Sequence, residues 1–251
     1  MLAAPAVRAG QAFTLSEAVS TSKIALAYSE TETENASGAT TCIKIEDSIG
    51  IDEVGRGPLA GPVVSAAVWI CADLARYLED NSKILPVRDS KKMTRKQRQK
   101  IVDWIDSCPS DQIKYSIGCA TVEEIDELNI LNASLLSMER AYNGVCGTGI
   151  FSYPALVLVD GNVAPDIKGV EIKTIVKGDD KVLSISLASI IAKEYRDNYM
   201  RNLSEQFPHY SWDTNVGYGT AAHLQAIAKY GITPHHRKSF APVSQLSLPL
   251  D

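Results

Sequence analysis

The sequence predicts an α/β protein built on a mixed sheet with helices on its faces, and three observations lead there. Strand-like and helix-like stretches alternate from residue 43 onward. Two apolar strand patterns end in acids, one in Asp52 and Glu53, the other (Ala155-Leu156-Val157-Leu158-Val159) in Asp160, as expected of buried strands carrying carboxylates at their tips. A chain of 251 residues that is 45% hydrophobic can also fill a core large enough to bury such a sheet.

The elements follow in order. Residues 1–42 are rich in Ala, Ser, Thr and Glu and are expected to form a flexible N-terminal extension, with a short helix near 13–20. Residues 43–53 and 63–70 read as strands joined by a Gly/Pro loop. Residues 94–107 read as a helix capped by Thr94, and 115–121 as a third strand. Residues 122–145 place Ile125, Leu128, Leu131, Leu135, Met138 and Tyr142 at helical spacing before Gly144 and Gly147, which predicts one long helix. Residues 155–160 are the buried central strand, 170–176 a fifth strand and 184–207 a long helix. The chain is thus expected to divide into the extension, a sheet domain over 43–207 and a region of short helices and turns over 208–251.

A net charge of −5 argues at face value against a polyanionic partner, but the charge is unevenly spread. Residues 1–50 hold three basic groups (Arg8, Lys23, Lys44) against six acidic ones. Residues 88–100 hold Arg88, Lys91, Lys92, Arg95, Lys96, Arg98 and Lys100 against Asp89 alone, so a basic patch can exist on an acidic protein. The cysteines (Cys42, Cys71, Cys108, Cys119, Cys146) are odd in number, and none has Cys-x-x-Cys or zinc-type histidine spacing. Free thiols in a reducing, cytoplasmic compartment are therefore expected. Arg8 is not followed by a continuous apolar stretch, and no run approaches a membrane span.

Adjacent strand residues point to opposite faces, so Asp52 and Glu53 belong at a strand end, where the glycines and prolines of residues 55–62 stop the strand. If the strand ending in Asp160 is a neighbour, and Lys177-Gly178-Asp179-Asp180 turns beside it, then Asp52, Glu53, Asp160 and Asp179 converge on one sheet edge. Mutually repelling carboxylates without zinc-type ligands select Mg²⁺ or Mn²⁺. A pair of such ions about 3.5–4 Å apart is the machinery that activates a water and stabilises the leaving oxygen in phosphodiester hydrolysis. Taken alone, Asp179 reads as a turn aspartate; in company with the other three it reads as a ligand.

Seven segments, in order and at characteristic spacing over about residues 46–245, then resemble bacterial ribonuclease HII. They are residues 52–63 (Asp52-Glu53-Val54-Gly55-Arg56-Gly57-Pro58 and onward), Asp89-Ser90-Lys91-Lys92, residues 125–131, Val159-Asp160-Gly161-Asn162, Val176-Lys177-Gly178-Asp179, residues 188–193 with Arg196-Asp197, and His236-Arg237-Lys238-Ser239-Phe240. The resemblance implies a ribonuclease H-like five-stranded sheet with a small C-terminal helical region. It implies an endoribonuclease that cuts the RNA strand of RNA/DNA hybrids and nicks duplex DNA 5′ to an embedded ribonucleotide, leaving 3′-hydroxyl and 5′-phosphate ends. Two Mg²⁺ or Mn²⁺ ions would be held by Asp52, Glu53, Asp160 and Asp179.

Gly55-Arg56-Gly57 resembles the loop that reads the ribose 2′-hydroxyl, a task suited to glycines that let backbone approach a sugar and an arginine that holds a phosphate. Tyr218 resembles the tyrosine that packs on the neighbouring sugar, though as a residue it equally well anchors a turn. Ser90, Lys91 and Lys92 are expected to contact phosphates, giving salt-sensitive affinity. His236 with Arg237 reads as structural or phosphate-binding. Departures from the pattern are Leu183 in place of a frequent proline, Asp180 beside Asp179, and Asn215-Val216 where relatives carry a basic pair. The expected protein is a monomer, and Gln245-Leu246-Ser247-Leu248 resembles the short apolar motifs that dock on sliding clamps. Two rivals are another nuclease on the same fold, which would cut all-DNA duplex, and a non-catalytic binder, which gains nothing from a cluster of negative charge.

Overall fold

A computed structural model describes residues 48–80, 90–147 and 156–246. The expected N-terminal extension, Cys42, Arg88 and Asp89 lie outside the described residues, as do the last residues of the clamp-like tail. Five strands, β1 (Ser48–Val54), β2 (Val63–Ile70), β3 (Ile113–Ala120), β4 (Leu156–Asp160) and β5 (Ile172–Ile175), form one mixed sheet in the order β3-β2-β1-β4-β5. β1, β2 and β3 make an antiparallel meander, whereas β4 runs parallel to β1 and β5 parallel to β4. The acid-tipped strands β1 and β4 are therefore direct neighbours at the centre.

Helices cover both faces of the sheet, which is why its central strands are apolar on both sides. On one face, α4 (Ile130–Cys146) packs Met138, Ala141, Tyr142 and Val145 onto Ile49, Ile51, Ala67, Val157 and Val159. On the other, α1 (Ala72–Asp80), α2 (Arg95–Ser107) and α5 (Leu183–Gln206) bury Val64, Ala66, Val68 and Ile70 of β2. Glycines set the closeness of that packing. A Cβ on Gly118 of β3 would lie 2.0 Å from the Ser137 carbonyl oxygen, and one on Gly50 of β1 2.4 Å from the Ile185 nitrogen, so α4 and α5 rest on bare backbone.

Where one helix was expected over 122–145, the chain makes two, α3 (Val122–Leu128) and α4. Asn129 separates them in the left-handed region (φ 70°), and its side-chain oxygen accepts from the Leu131 and Asn132 N–H groups at 3.0 and 3.1 Å. The apolar period runs through the break, so periodicity alone conceals it. The sequence predicts no element at residues 72–80, where α1 forms and its Leu74, Ala75 and Leu78 meet the core.

Beyond α5, α6 (Trp212–Asn215), α7 (Ala221–Tyr230) and α8 (Val243–Leu246) form the helical region over 208–246. Its small core joins Tyr210, Trp212, Ala226, Ile227 and Val243 to Leu59 and Ala60 of the β1–β2 loop and Met200 of α5. At its centre the Thr233 N–H donates to His236 Nδ1 at 2.9 Å, which leaves the His236 proton on Nε2, facing His223 Nε2 at 3.1 Å. His223 Nε2, also accepting from Trp212 Nε1 at 3.0 Å, must then carry its proton on Nδ1, donated to the Tyr218 carbonyl at 2.9 Å. Among the described residues no helix is long and apolar enough to cross a membrane.

Candidate active site

Parallel pairing puts the carboxyl ends of β1 and β4 on one sheet edge. Ile51 stands opposite Val159, so Asp52 and Asp160 occupy the next step of the same register. Strand alternation then separates the two adjacent acids. Asp52 shares the face of Gly50, under α5, where the Ser189 hydroxyl donates to its carboxylate. Glu53 turns to the α4 side, with an Arg56 nitrogen 3.5 Å from its Oε1. Asp160 Oδ1 accepts from the Gly178 N–H at 2.6 Å, and Asp179 is the next residue, on the 3₁₀ turn Gly178–Asp180. Ser186 of α5 ties that turn down by donating to the Asp179 carbonyl. Asp179 is partly buried and Asp180 exposed.

These carboxylates feel one another. Burial, then repulsion from Glu53 and Asp160, pushes Asp52 up to about 8. Burial also raises Glu53, with Asp160 adding to the rise and Arg56 opposing it. Among the described residues no three acid, histidine or cysteine side chains converge into a ready ligand set. Asp52, Glu53 and Asp160 each lean on a protein donor instead, Asp52 also accepting from the Glu53 N–H at 2.7 Å. The side chains offer only hard carboxylate oxygens, Asp52 buried and Glu53, Asp160 and Asp179 partly buried, with Arg56 the cation beside Glu53, and such a set fits Mg²⁺ or Mn²⁺ and not zinc. A cavity of about 210 Å³ opens beside them, with Glu53, Arg56, Asp160 and Asn162 on its polar side and Leu131, Leu135 and Met138 of α4 as its apolar floor.

The loop after β1 faces the C-terminal region. Gly55 has φ 97°, and a Cβ there would lie 2.2 Å from Arg196 Nε, so only glycine fits. A Cβ on Gly57 would lie 3.4 Å from Cε1 of Tyr218, a residue that is 46% exposed. Gly55-Arg56-Gly57 and Tyr218, distant in sequence, thus make one surface beside the acids.

The basic run divides. Lys91 and Lys92 are exposed on the 3₁₀ turn Ser90–Lys92. Ser90, expected to touch phosphate, is buried instead, its hydroxyl 2.9 Å from that of Ser189. Arg98 is buried too, 3.2 Å from both Glu194 and Asp197. Ser189 therefore links the Lys91–Lys92 turn to Asp52, and Lys193 pairs with Asp197 at 2.7 Å. The sequence offered no sign that Arg196 and Arg237 meet the β1–β2 loop, since arginine in a helix or near a terminus ordinarily reads as surface.

The sequence model of the family described as Ribonuclease HII matches residues 49–243. The "Ribonuclease HII" of Pelagibacter ubique is 44% identical over 197 residues, covering 78% of this chain and 97% of the relative. Among solved structures, that of the PCNA:RNase HII complex from Archaeoglobus fulgidus is similar at a TM-score of 0.59 and 23% identity, over 80% of this chain and 97% of that one. Bst-RNase HIII in complex with Mn²⁺ is similar at 0.61 and 18% identity, over 81% of this chain and 70% of that one.

Proposed function

The chain belongs to the ribonuclease HII family and is a ribonuclease H hydrolase, and from that premise we propose that it cuts the RNA strand of RNA/DNA hybrids and nicks duplex DNA 5′ to an embedded ribonucleotide. The products are 3′-hydroxyl and 5′-phosphate ends. The observation that carries the reading is the set of mutually repelling carboxylates at the β1–β4 edge, with Asp52 pushed up to about 8, directly beside the Gly55–Gly57 and Tyr218 surface.

In this reading Asp52, Glu53, Asp160 and Asp179 hold divalent metal and are not themselves nucleophiles. Two Mg²⁺ or Mn²⁺ ions bound there supply the activation of a water and the stabilisation of the leaving oxygen. The chain's other residues place the substrate. Gly55 and Gly57 let backbone approach the ribose, Arg56 holds a flanking phosphate, and Tyr218 packs on the adjoining sugar. Lys91 and Lys92 contact the strand backbone, with Ser90 setting their turn from behind. The protein works as a monomer, and its C-terminal tail is the segment for a sliding clamp, a reading supported by the clamp complex of the archaeal neighbour.

The test is cleavage of end-labelled substrates by the wild type: an RNA/DNA hybrid, a DNA duplex with one ribonucleotide, and the all-DNA duplex, each with Mg²⁺, Mn²⁺ or chelator. Cutting of the first two only, and only with metal, is expected. Binding without cutting under either metal would replace the enzyme with a binding module, and cutting of all-DNA duplex would point to a different nuclease.

A further inference from the structure

Arg196 of α5 and Arg237, just after α7, are both fully buried. Among the described residues no carboxylate lies within ion-pair distance of either. Their donors go to backbone carbonyls, and almost all to one loop. Arg237 donates to Gly55 O at 2.6 Å, Arg56 O at 3.0 Å and Gly61 O at 2.9 Å. Arg196 donates to Ala60 O at 3.0 Å, Pro62 O at 2.9 Å and, across the gap, Val216 O at 2.9 Å, two residues before Tyr218.

In a trans peptide the C=O and N–H point in opposite directions. Carbonyls of Gly55 and Arg56 drawn inward onto Arg237 therefore turn the N–H groups of Arg56 and Gly57 away from the core. A cation on the carbonyl also polarises the peptide and strengthens its N–H as a donor. Burial pushes Arg237 down to about 9 and Arg196 to about 10, so both cations are held at a desolvation cost that neutral apolar residues would avoid. The segment carrying Arg237 is itself pinned: Asp126 accepts from the Lys238 and Ser239 N–H groups at 3.0 and 2.9 Å, and the Arg237 N–H donates to Leu59 O at 2.8 Å.

We infer that Arg237 and Arg196 are positioning residues for ribose recognition, holding the Gly55–Gly57 loop and the Tyr218 turn as one preformed reader whose outward N–H donors select the 2′-hydroxyl. This rests on the function proposed above and adds what sets its specificity. Lysine at 237 keeps the charge but has no planar fork to hold three carbonyls. Asp126→Ala slackens the same segment from a partly exposed site and leaves the buried arginines in place.

The experiment compares binding of a DNA duplex with one ribonucleotide against the all-DNA duplex, in chelator so that nothing is cut, for wild type, Arg237→Lys and Asp126→Ala, with far-UV circular dichroism to confirm folding. The expected result is that the wild-type preference for the ribonucleotide falls by about tenfold in Arg237→Lys, the equivalent of ~1.4 kcal/mol, and by a smaller factor in Asp126→Ala, while all-DNA affinity holds. If Arg237→Lys does not fold, Asp126→Ala decides. An unchanged preference, or an equal weakening on both duplexes, overturns the inference alone. A wild type that shows no preference overturns the ribonucleotide reading and this inference with it.

Discussion

Asp52 carries the electrostatic character of the site. A buried acid whose pKa rises from 3.8 to about 8 favours the folded state when protonated; that contribution is full below 3.8 and is lost as pH rises through about 8. Asp52→Asn keeps an oxygen for the Ser189 and Glu53 donors and removes the buried charge. It should stabilise the metal-free protein at pH 8 by about 1–3 kcal/mol while cutting metal-dependent activity by roughly 100-fold or more, read by thermal melting in chelator and by cleavage. Because a cation needs the ionised carboxylate, Mn²⁺ affinity should rise with pH toward about 8, with proton release seen by titration calorimetry in two buffers. His236 behaves oppositely. Burial, then its neighbour His223, lowers it from 6.5 to about 4, so its contribution is intact above pH 6.5 and lost as pH falls toward 4. A melting temperature that drops across that window in the wild type, and less so in His236→Asn, is the expected outcome.

At the scale of elements, the sheet edge exists because β1 and β4 pair in parallel, and helices settle on it because glycines leave them room. Gly118→Ala forces a methyl against α4 backbone and should cost about 1–3 kcal/mol in denaturant unfolding. Asn129 offers a sharper contrast, since its left-handed backbone and its cap are separable. Asn129→Gly should cost a few tenths of a kcal/mol and Asn129→Ala about 1–2 kcal/mol. The strands and the long α5 were legible because apolar runs and helical spacing are local signals. The α3–α4 break was not, because the apolar period continues across a residue whose conformation is fixed by its own side-chain bonds. Helix α1 escaped because its nine residues carry few core positions.

At the scale of the molecule, an acidic chain is proposed to hold a polyanion, so the exposed cations must be local to the site. Lys91→Ala and Lys92→Ala should each weaken duplex binding about evenly across sequences and reduce the salt dependence by about one phosphate contact. The acids were legible because strand tips announce themselves in sequence, and the loop motifs because they resemble a family. What stayed hidden is non-local: Arg237 meets Gly55, Ser90 turns inward to Ser189, and Arg196 bridges to the Tyr218 turn, contacts that span from roughly twenty to nearly two hundred residues of chain. Composition and periodicity carry no information about such pairs. The most direct test of the central claim is mapping of the cut made in a duplex with one ribonucleotide by wild type and Asp160→Asn in Mg²⁺. A single nick 5′ to the ribonucleotide, slowed by roughly 100-fold or more in the variant, is what the account predicts. A variant that nicks the same bond at the wild-type rate would contradict it, because the β1–β4 carboxylates could not then be the seat of the chemistry.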